Sequence, residues 1–187
     1  MVIPTSGDIF FNQKKIGRDV HYRNHIGYMP QIGHYPDNMR IAQVLNMMKG
    51  IRSKEVVLDE ELWEAFELEK NSHKNMRTLS GGTTQKVSAT LAFLFQPDML
   101  ILDEPTAGLD PLAAEILKDK IIKEKQKGKL ILITSHLLSE LDELVTQVVF
   151  MQEGEIKFHK NIIELKEATN EPTIAKAITH ILKKNKT

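Results

Sequence analysis

Four consecutive apolar residues, Met99-Leu100-Ile101-Leu102, stop at two adjacent carboxylates, Asp103 and Glu104, followed by Pro105. A short unbroken apolar run reads as a strand covered on both faces, the habit of parallel sheets. A second such run, Leu130 to Thr134, ends in Ser135-His136. Between them, Pro111 to Gln126 carries helix punctuation: Asp110 suits the N-cap, Pro111 the first position, and Gly128 follows the end. Strand, helix and strand at these lengths predict βαβ units and a mostly parallel α/β sheet. Open α/β sheets bind ligands beyond the carboxyl ends of their strands, so this is where chemistry is expected.

The rest of the chain fits around that unit. Ile9-Phe10-Phe11 reads as a short strand with a turn behind it. His25 to Gln31 reads as a strand running into a loop at Pro30. Ile41, Val44, Leu45 and Met48, then Leu62, Ala65, Phe66 and Leu68, recur at helical spacing, so residues 41–74 are expected to be mostly helical. Thr83 to Phe95 predicts a helix entered from Ser80-Gly81-Gly82, and Leu137 to Leu144 another. Gln147–Met151 and Glu155–His159 flank Gln152-Glu153-Gly154, a hairpin signal. Ile162 to Lys184 reads as helical and increasingly basic, ending Lys183-Lys184-Asn185-Lys186.

Composition narrows the function classes. The 25 Lys and Arg balance the 25 Asp and Glu in 187 residues, so no global field points to nucleic acid, and no nucleic-acid partner is expected. With no cysteine, disulfides, thiolate metal sites and a Cys nucleophile are excluded. The seven histidines show no metal-ligand spacing. No apolar run is long enough to span a bilayer, and the opening MVIPTSGDIF lacks a basic segment followed by a long apolar one. A cytoplasmic protein without a signal peptide is expected.

Taken singly, the polar positions leave their roles open. An acid such as Asp103 at a strand end can hold Mg²⁺, and a neighbour such as Glu104 can orient or deprotonate a water; Asp-Glu-Pro is equally a polar turn. Ser80-Gly81-Gly82 at a helix start offers backbone N–H groups to an anion, or is a turn with an N-cap. His136 after a strand can donate to a phosphate, and a lone His is commonly structural. Gln31 alone carries little.

Their order carries more. Gln31, then Leu79-Ser80-Gly81-Gly82, then Leu100-Ile101-Leu102-Asp103-Glu104-Pro105, then Ala107-Gly108-Leu109-Asp110-Pro111, then Ser135-His136 resembles the nucleotide-binding domain of ABC-type ATPases. Gln31 stands at the family's Q-loop glutamine, residues 79–82 at its signature, 100–105 at Walker B with the catalytic glutamate, 107–111 at the D-loop and His136 at the H-switch. The resemblance implies a P-loop NTPase-like α/β fold over residues 1–160, with a helical subdomain at about 38–95 and a helical tail at 161–187. It implies ATP and Mg²⁺ as cofactors. Asp103 and Gln31 would attend the metal, Glu104 the attacking water and His136 the γ-phosphate. Ser80, Gly81 and Gly82 would close over ATP held by a second ATPase protomer, and Asp110 would align the dimer interface. The chemistry would be phosphoryl transfer to water, governed by positioning and charge stabilisation.

Two departures qualify this. The phosphate-cradling pattern G-x-x-x-x-G-K-[ST] does not occur in the sequence. The chain therefore reads as a cassette beginning just after the P-loop helix, near Val2 to Gly7, without the preceding strands and the adenine-stacking aromatic. Little ATP affinity in cis and apolar sheet edges are expected. Thr83 stands where the signature usually continues with Gln, which is expected to tune function rather than abolish it. The short stretch between Gln31 and Ser80 fits a transporter subunit that docks on a transmembrane permease through Gln31 and residues 41–74, at the inner face of the plasma membrane. Residues 91–111 and 133–159 are similar to ATP-binding subunits linked to copper handling and nitrous-oxide-reductase maturation. The rival reading is a non-catalytic module that supplies the signature in trans to a complete ATPase.

Overall fold

The computed structural model describes residues 4–52 and 57–184. Val2 and Ile3, residues 53–56 of the expected helical stretch, and Asn185 and Lys186 of the basic tail lie outside the described residues. The chain divides into two compact units, Met1–Thr134 and Ser135–Thr187.

The first unit opens with a hairpin of β1 (Phe10–Phe11) and β2 (Lys14–Lys15). Its turn residues, Asn12 and Gln13, both take positive φ, the two-residue geometry that matches strand twist. Then come β3 (Ile26–Met29), α1 (Ile41–Ile51), α2 (Glu61–Ala65), α3 (Gly81–Phe93), β4 (Met99–Asp103), α4 (Pro111–Gln126) and β5 (Leu130–Thr134). The three longer strands form a parallel sheet in the order β3-β4-β5, with Ile26 beside Met99 and Met99 beside Leu130. This is the α/β arrangement expected of the alternating elements.

One face of the sheet is closed. Met29, Leu100 and Leu102 are buried there, and α3 packs on β3. Gly27 makes that approach possible: a Cβ at this position would overlap the Ala92 carbonyl oxygen and sit 2.8 Å from Pro97 Cγ and from Leu100 Cδ2. Gly27→Ala is expected to destabilise the first unit by about 2 kcal/mol, as overpacking against backbone does. A urea titration followed by the single tryptophan, Trp63 of α2, checks this.

The expectation that Met99–Leu102 is covered on both faces is corrected. Leu100 and Leu102 are buried, but Met99 and Ile101 are only half-buried. On the same side, Tyr28, Leu130 and Leu132 are 57%, 64% and 49% exposed. With α3 on one face, the strands behave as half-buried, and the two-residue alternation returns.

The helical stretch follows its apolar spacing only in part. Ile41, Val44 and Leu45 of α1 are buried, and the Arg40 N–H donates to Gln43 Oε1 at 2.8 Å across the first turn. In the next segment Leu62, Phe66 and Leu68 are buried, but α2 stops at Ala65 because Glu67 adopts a left-handed φ of 51°. A buried charge cluster ties α2 to α4. Lys120, 2% exposed, donates to Asp59 Oδ2 at 2.5 Å and to Glu61 Oε2 at 2.8 Å, and it lies 3.1 Å from Glu124 Oε1.

The second unit contains β6 (Gln147–Gln152) and β7 (Glu155–Asn161), then α5 (Ile162–Thr169) and α6 (Ile174–Lys184). The expected hairpin forms around Glu153 and Gly154, both at positive φ, with Phe150 and Phe158 stacked at 5.4 Å. One expectation fails, and the helical tail is more finely divided than its composition shows. Leu137–Leu144 is not a helix: only Leu138–Glu140 makes a 3-10 turn. Leu137 is 40% exposed and only Leu144 of this stretch is buried, so no apolar stripe supports so short a helix. The tail is two helices, because Asn170 takes a left-handed φ of 52° and Pro172 follows it.

Candidate functional site

Asp103 is the last residue of β4, and Thr134 lies beside it at the end of β5. The Thr134 hydroxyl donates to Asp103 Oδ1. By the strand's alternation Asp103 shares a face with Met99 and Ile101, the open side of the sheet.

Glu104 leaves the strand in a left-handed conformation, φ 50°. A residue with a Cβ holds this only where its surroundings impose it. Three hydrogen bonds do so. The Glu104 N–H donates to the Thr134 carbonyl at 3.0 Å. The Glu104 carbonyl accepts from the Ala107 N–H at 3.1 Å and from Gln85 Nε2 at 3.2 Å. Pro105 is buried beneath this turn, which reaches Gly108 at φ 76°.

Asp110 ends the segment as the N-cap of α4. Its Oδ1 accepts from the Ala113 N–H at 3.0 Å, and its Oδ2 takes Lys86 Nζ at 2.7 Å. The Lys86 bond first, then that backbone amide, lower the carboxyl below its usual range. Ser80 caps α3 in the same way. Its Oγ accepts from the Thr83 N–H at 3.2 Å and lies 2.9 Å from the Thr83 hydroxyl. Thr83 is thus engaged with Ser80 itself. Gly81 is exposed with open space where a side chain would stand, while a Cβ on Gly82 would lie 2.7 Å from the Gly108 carbonyl oxygen.

Residues 80–82, 103–104 and 110 therefore lie in one unit, linked by direct contacts between α3 and the turn after β4. Gln31 is exposed and stands two residues past the end of β3, the strand paired to β4. His136 belongs to the second unit, where it is exposed beside Ser135, whose Oγ accepts from the Leu137 N–H at 3.0 Å. Gln85, Lys86 and Thr134 escaped the sequence reading. The first two recur three and four positions after Gly82, one helix face, and that spacing was the available signal.

Beside Gln31 runs a groove of about 320 Å³ between β3, α1 and α3, whose lining includes Tyr28, His34, Tyr35, Met48 and Phe95. The Arg52 guanidinium lies 4.7 Å over the Phe95 ring. The Tyr35 hydroxyl is 2.9 Å from Ser88 Oγ, and burial raises its pKa. No described helix is long and apolar enough to cross a membrane.

The sequence pattern of the family described as ABC transporter matches residues 1–107. This chain belongs to that family. Human phospholipid-transporting ATPase ABCA3 is 35% identical over 158 residues, covering 82% of this chain and 9% of that protein. The uncharacterized ABC transporter ATP-binding protein YhaQ of Bacillus subtilis is 35% identical over 159 residues, covering 81% and 53%. The chain thus spans about half of this bacterial relative and a small part of the human one. Among solved structures, an ATP-binding subunit of an ABC transporter superposes with TM-score 0.84 at 24% identity, over 96% of this chain and 78% of that one. The ATP-binding cassette MJ0796, a dimer in a post-hydrolysis state bound to ADP and Pi, gives 0.72 at 18% identity, over 84% and 74%. These neighbours show that the fold is that of the ABC ATP-binding cassette.

Proposed function

We propose that this ABC cassette chain is part of an ATP-binding and ATP-hydrolysing subunit that couples hydrolysis to transport by a separate membrane permease. The observation that carries the reading is the direct grip of α3, beginning at Ser80-Gly81-Gly82, on the Asp103–Asp110 turn at the carboxyl end of the sheet. Residues 1–160 would be the ATPase part, 38–95 its helical subdomain and 161–187 a helical tail.

The donor set fits the expected cofactors. A single half-buried carboxylate at a strand end, Asp103, suits Mg²⁺, which keeps waters and phosphate oxygens as its other ligands. Bound MgATP supplies the phosphoryl group and the charge neutralisation its transfer needs. Glu104 orients a water and takes up its proton. Ser80, Gly81 and Gly82 present a capped helix start to the phosphates held by a second protomer. Asp110 keeps the turn in register with α3. Gln31 links the metal side of the site to the neighbouring groove, the surface on which a permease segment would seat. His136 is assigned the γ-phosphate contact on the resemblance alone.

Cargo belongs to the membrane partner. Copper-related export rests on the wording of residues 91–111 and 133–159, and a lipid cargo on the names of the ABCA3 relatives. The rival reading is a non-catalytic role, lending Ser80–Gly82 to a complete ATPase. Phosphate release from MgATP by the native protein, purified with its membrane partner, separates the readings. Turnover arrested by vanadate is expected. Hydrolysis that appears only when a second, different ATPase is added assigns the lending role. No hydrolysis in either condition overturns both.

A further inference from the structure

We propose that Gln85 is a positioning residue for Glu104 within the same chain, an assignment that rests on the hydrolytic reading above. The face of α3 formed by Gly82, Gln85 and Lys86 meets residues 104–110 at three points: the Gly108 carbonyl, the Glu104 carbonyl and the Asp110 carboxylate. Of the three, Gln85 reaches the residue whose side chain is to act on water. Gln85 is 4% exposed, so its bond is made away from solvent, where hydrogen bonds are strengthened.

The geometry explains why the bond matters. Glu104 sits at φ 50°, and its carbonyl is fixed by Gln85 Nε2 at 3.2 Å and by the Ala107 N–H at 3.1 Å. Ala107 lies in the same short turn and moves with it. Gln85 comes from a packed helix and therefore ties that carbonyl to a group outside the turn, as Thr134 does for the Glu104 N–H. Without Gln85 that carbonyl loses its tie to α3, and a shift of the turn relative to the helix carries the Glu104 carboxylate with it. A displacement of about 1 Å in a reacting group costs about a hundredfold in rate.

The test uses the native complex and two variants: Gln85→Met, which keeps the length and removes the donor, and Gln85→Glu, which faces the carbonyl with an acceptor. Both are expected to lower kcat at least tenfold with KM for ATP unchanged, and to speed hydrogen exchange of the Ala107 amide at least tenfold. Lys86→Met cuts the neighbouring tie to Asp110 and is expected to leave that amide at its wild-type exchange rate. Unchanged Ala107 exchange in both Gln85 variants overturns the proposal, as does faster exchange with kcat intact. Equal acceleration in Lys86→Met also overturns it, because the α3 face would then act as a general prop. Should the wild-type complex fail to hydrolyse ATP, the hydrolytic reading falls, and the exchange rates alone decide whether Gln85 holds Glu104.

Discussion

Glu104→Gln lowers MgATP turnover by the native complex at least about a hundredfold while leaving ATP affinity unchanged, the loss expected when a general base is removed. The substitution keeps the side chain's size and removes its capacity to take a proton. Its backbone context does not change, because the three hydrogen bonds that set the left-handed turn involve the Glu104 N–H and carbonyl, not the carboxylate. The defect is therefore expected in kcat alone. Steady-state phosphate release and equilibrium binding of ATP check it together. A variant that keeps more than about a third of wild-type turnover removes Glu104 from the proton-transfer step, whose removal is worth far more than that. A variant that also loses ATP affinity places the residue in binding instead.

Lys120→Met destabilises the first unit by about 3–5 kcal/mol at neutral pH, the cost of breaking a buried ion pair from one side. Lys120 is 2% exposed and Glu124 is 1% exposed. Burial alone would push the Lys120 pKa down, but Asp59, Glu61 and Glu124 outweigh it and hold the amine above its ordinary value. Burial likewise pushes Glu124 up, but hydrogen bonds from Lys127, Lys129 and Lys120 prevail and bring its carboxyl from 4.5 to about 2. Glu61 is lowered by Lys120 and then by Lys123. A depressed carboxyl stabilises the fold fully above its ordinary value and loses that contribution as pH falls through its folded value. For Glu124 that window runs from 4.5 down to about 2. The raised Lys120 amine contributes below its ordinary 10.5 and loses its contribution only at higher pH. Urea unfolding followed by Trp63 fluorescence should show stability falling between these acid limits, with a shallower fall in Lys120→Met. A loss below about 1 kcal/mol at neutral pH would place the cluster with weak surface pairs.

The elements that the amino-acid order determined are those whose signals are local. α3 and α4 begin at Ser80 and Asp110 because those side chains cap the helix they precede. The 147–161 hairpin turns where Glu153-Gly154 tolerates positive φ. β4 and β5 are strands with a helix between them, and the positions at 80–82, 103–104 and 110 were legible as a spaced pattern before any coordinates. Other features needed distant partners. One-sided burial of β4 depends on what lies over each face, which a run of apolar residues does not encode. The 137–144 stretch has helix-like spacing but buries only Leu144, and spacing with so little burial does not sustain a short helix. The bond from Gln85 to the Glu104 carbonyl joins side chain to backbone across nineteen positions. A backbone acceptor carries no residue-type signal, so only the packing of α3 against the turn after β4 revealed that contact. The sequence alone thus determined the order and spacing of these positions; the tertiary structure decided what holds them, because each of those contacts joins groups far apart along the chain.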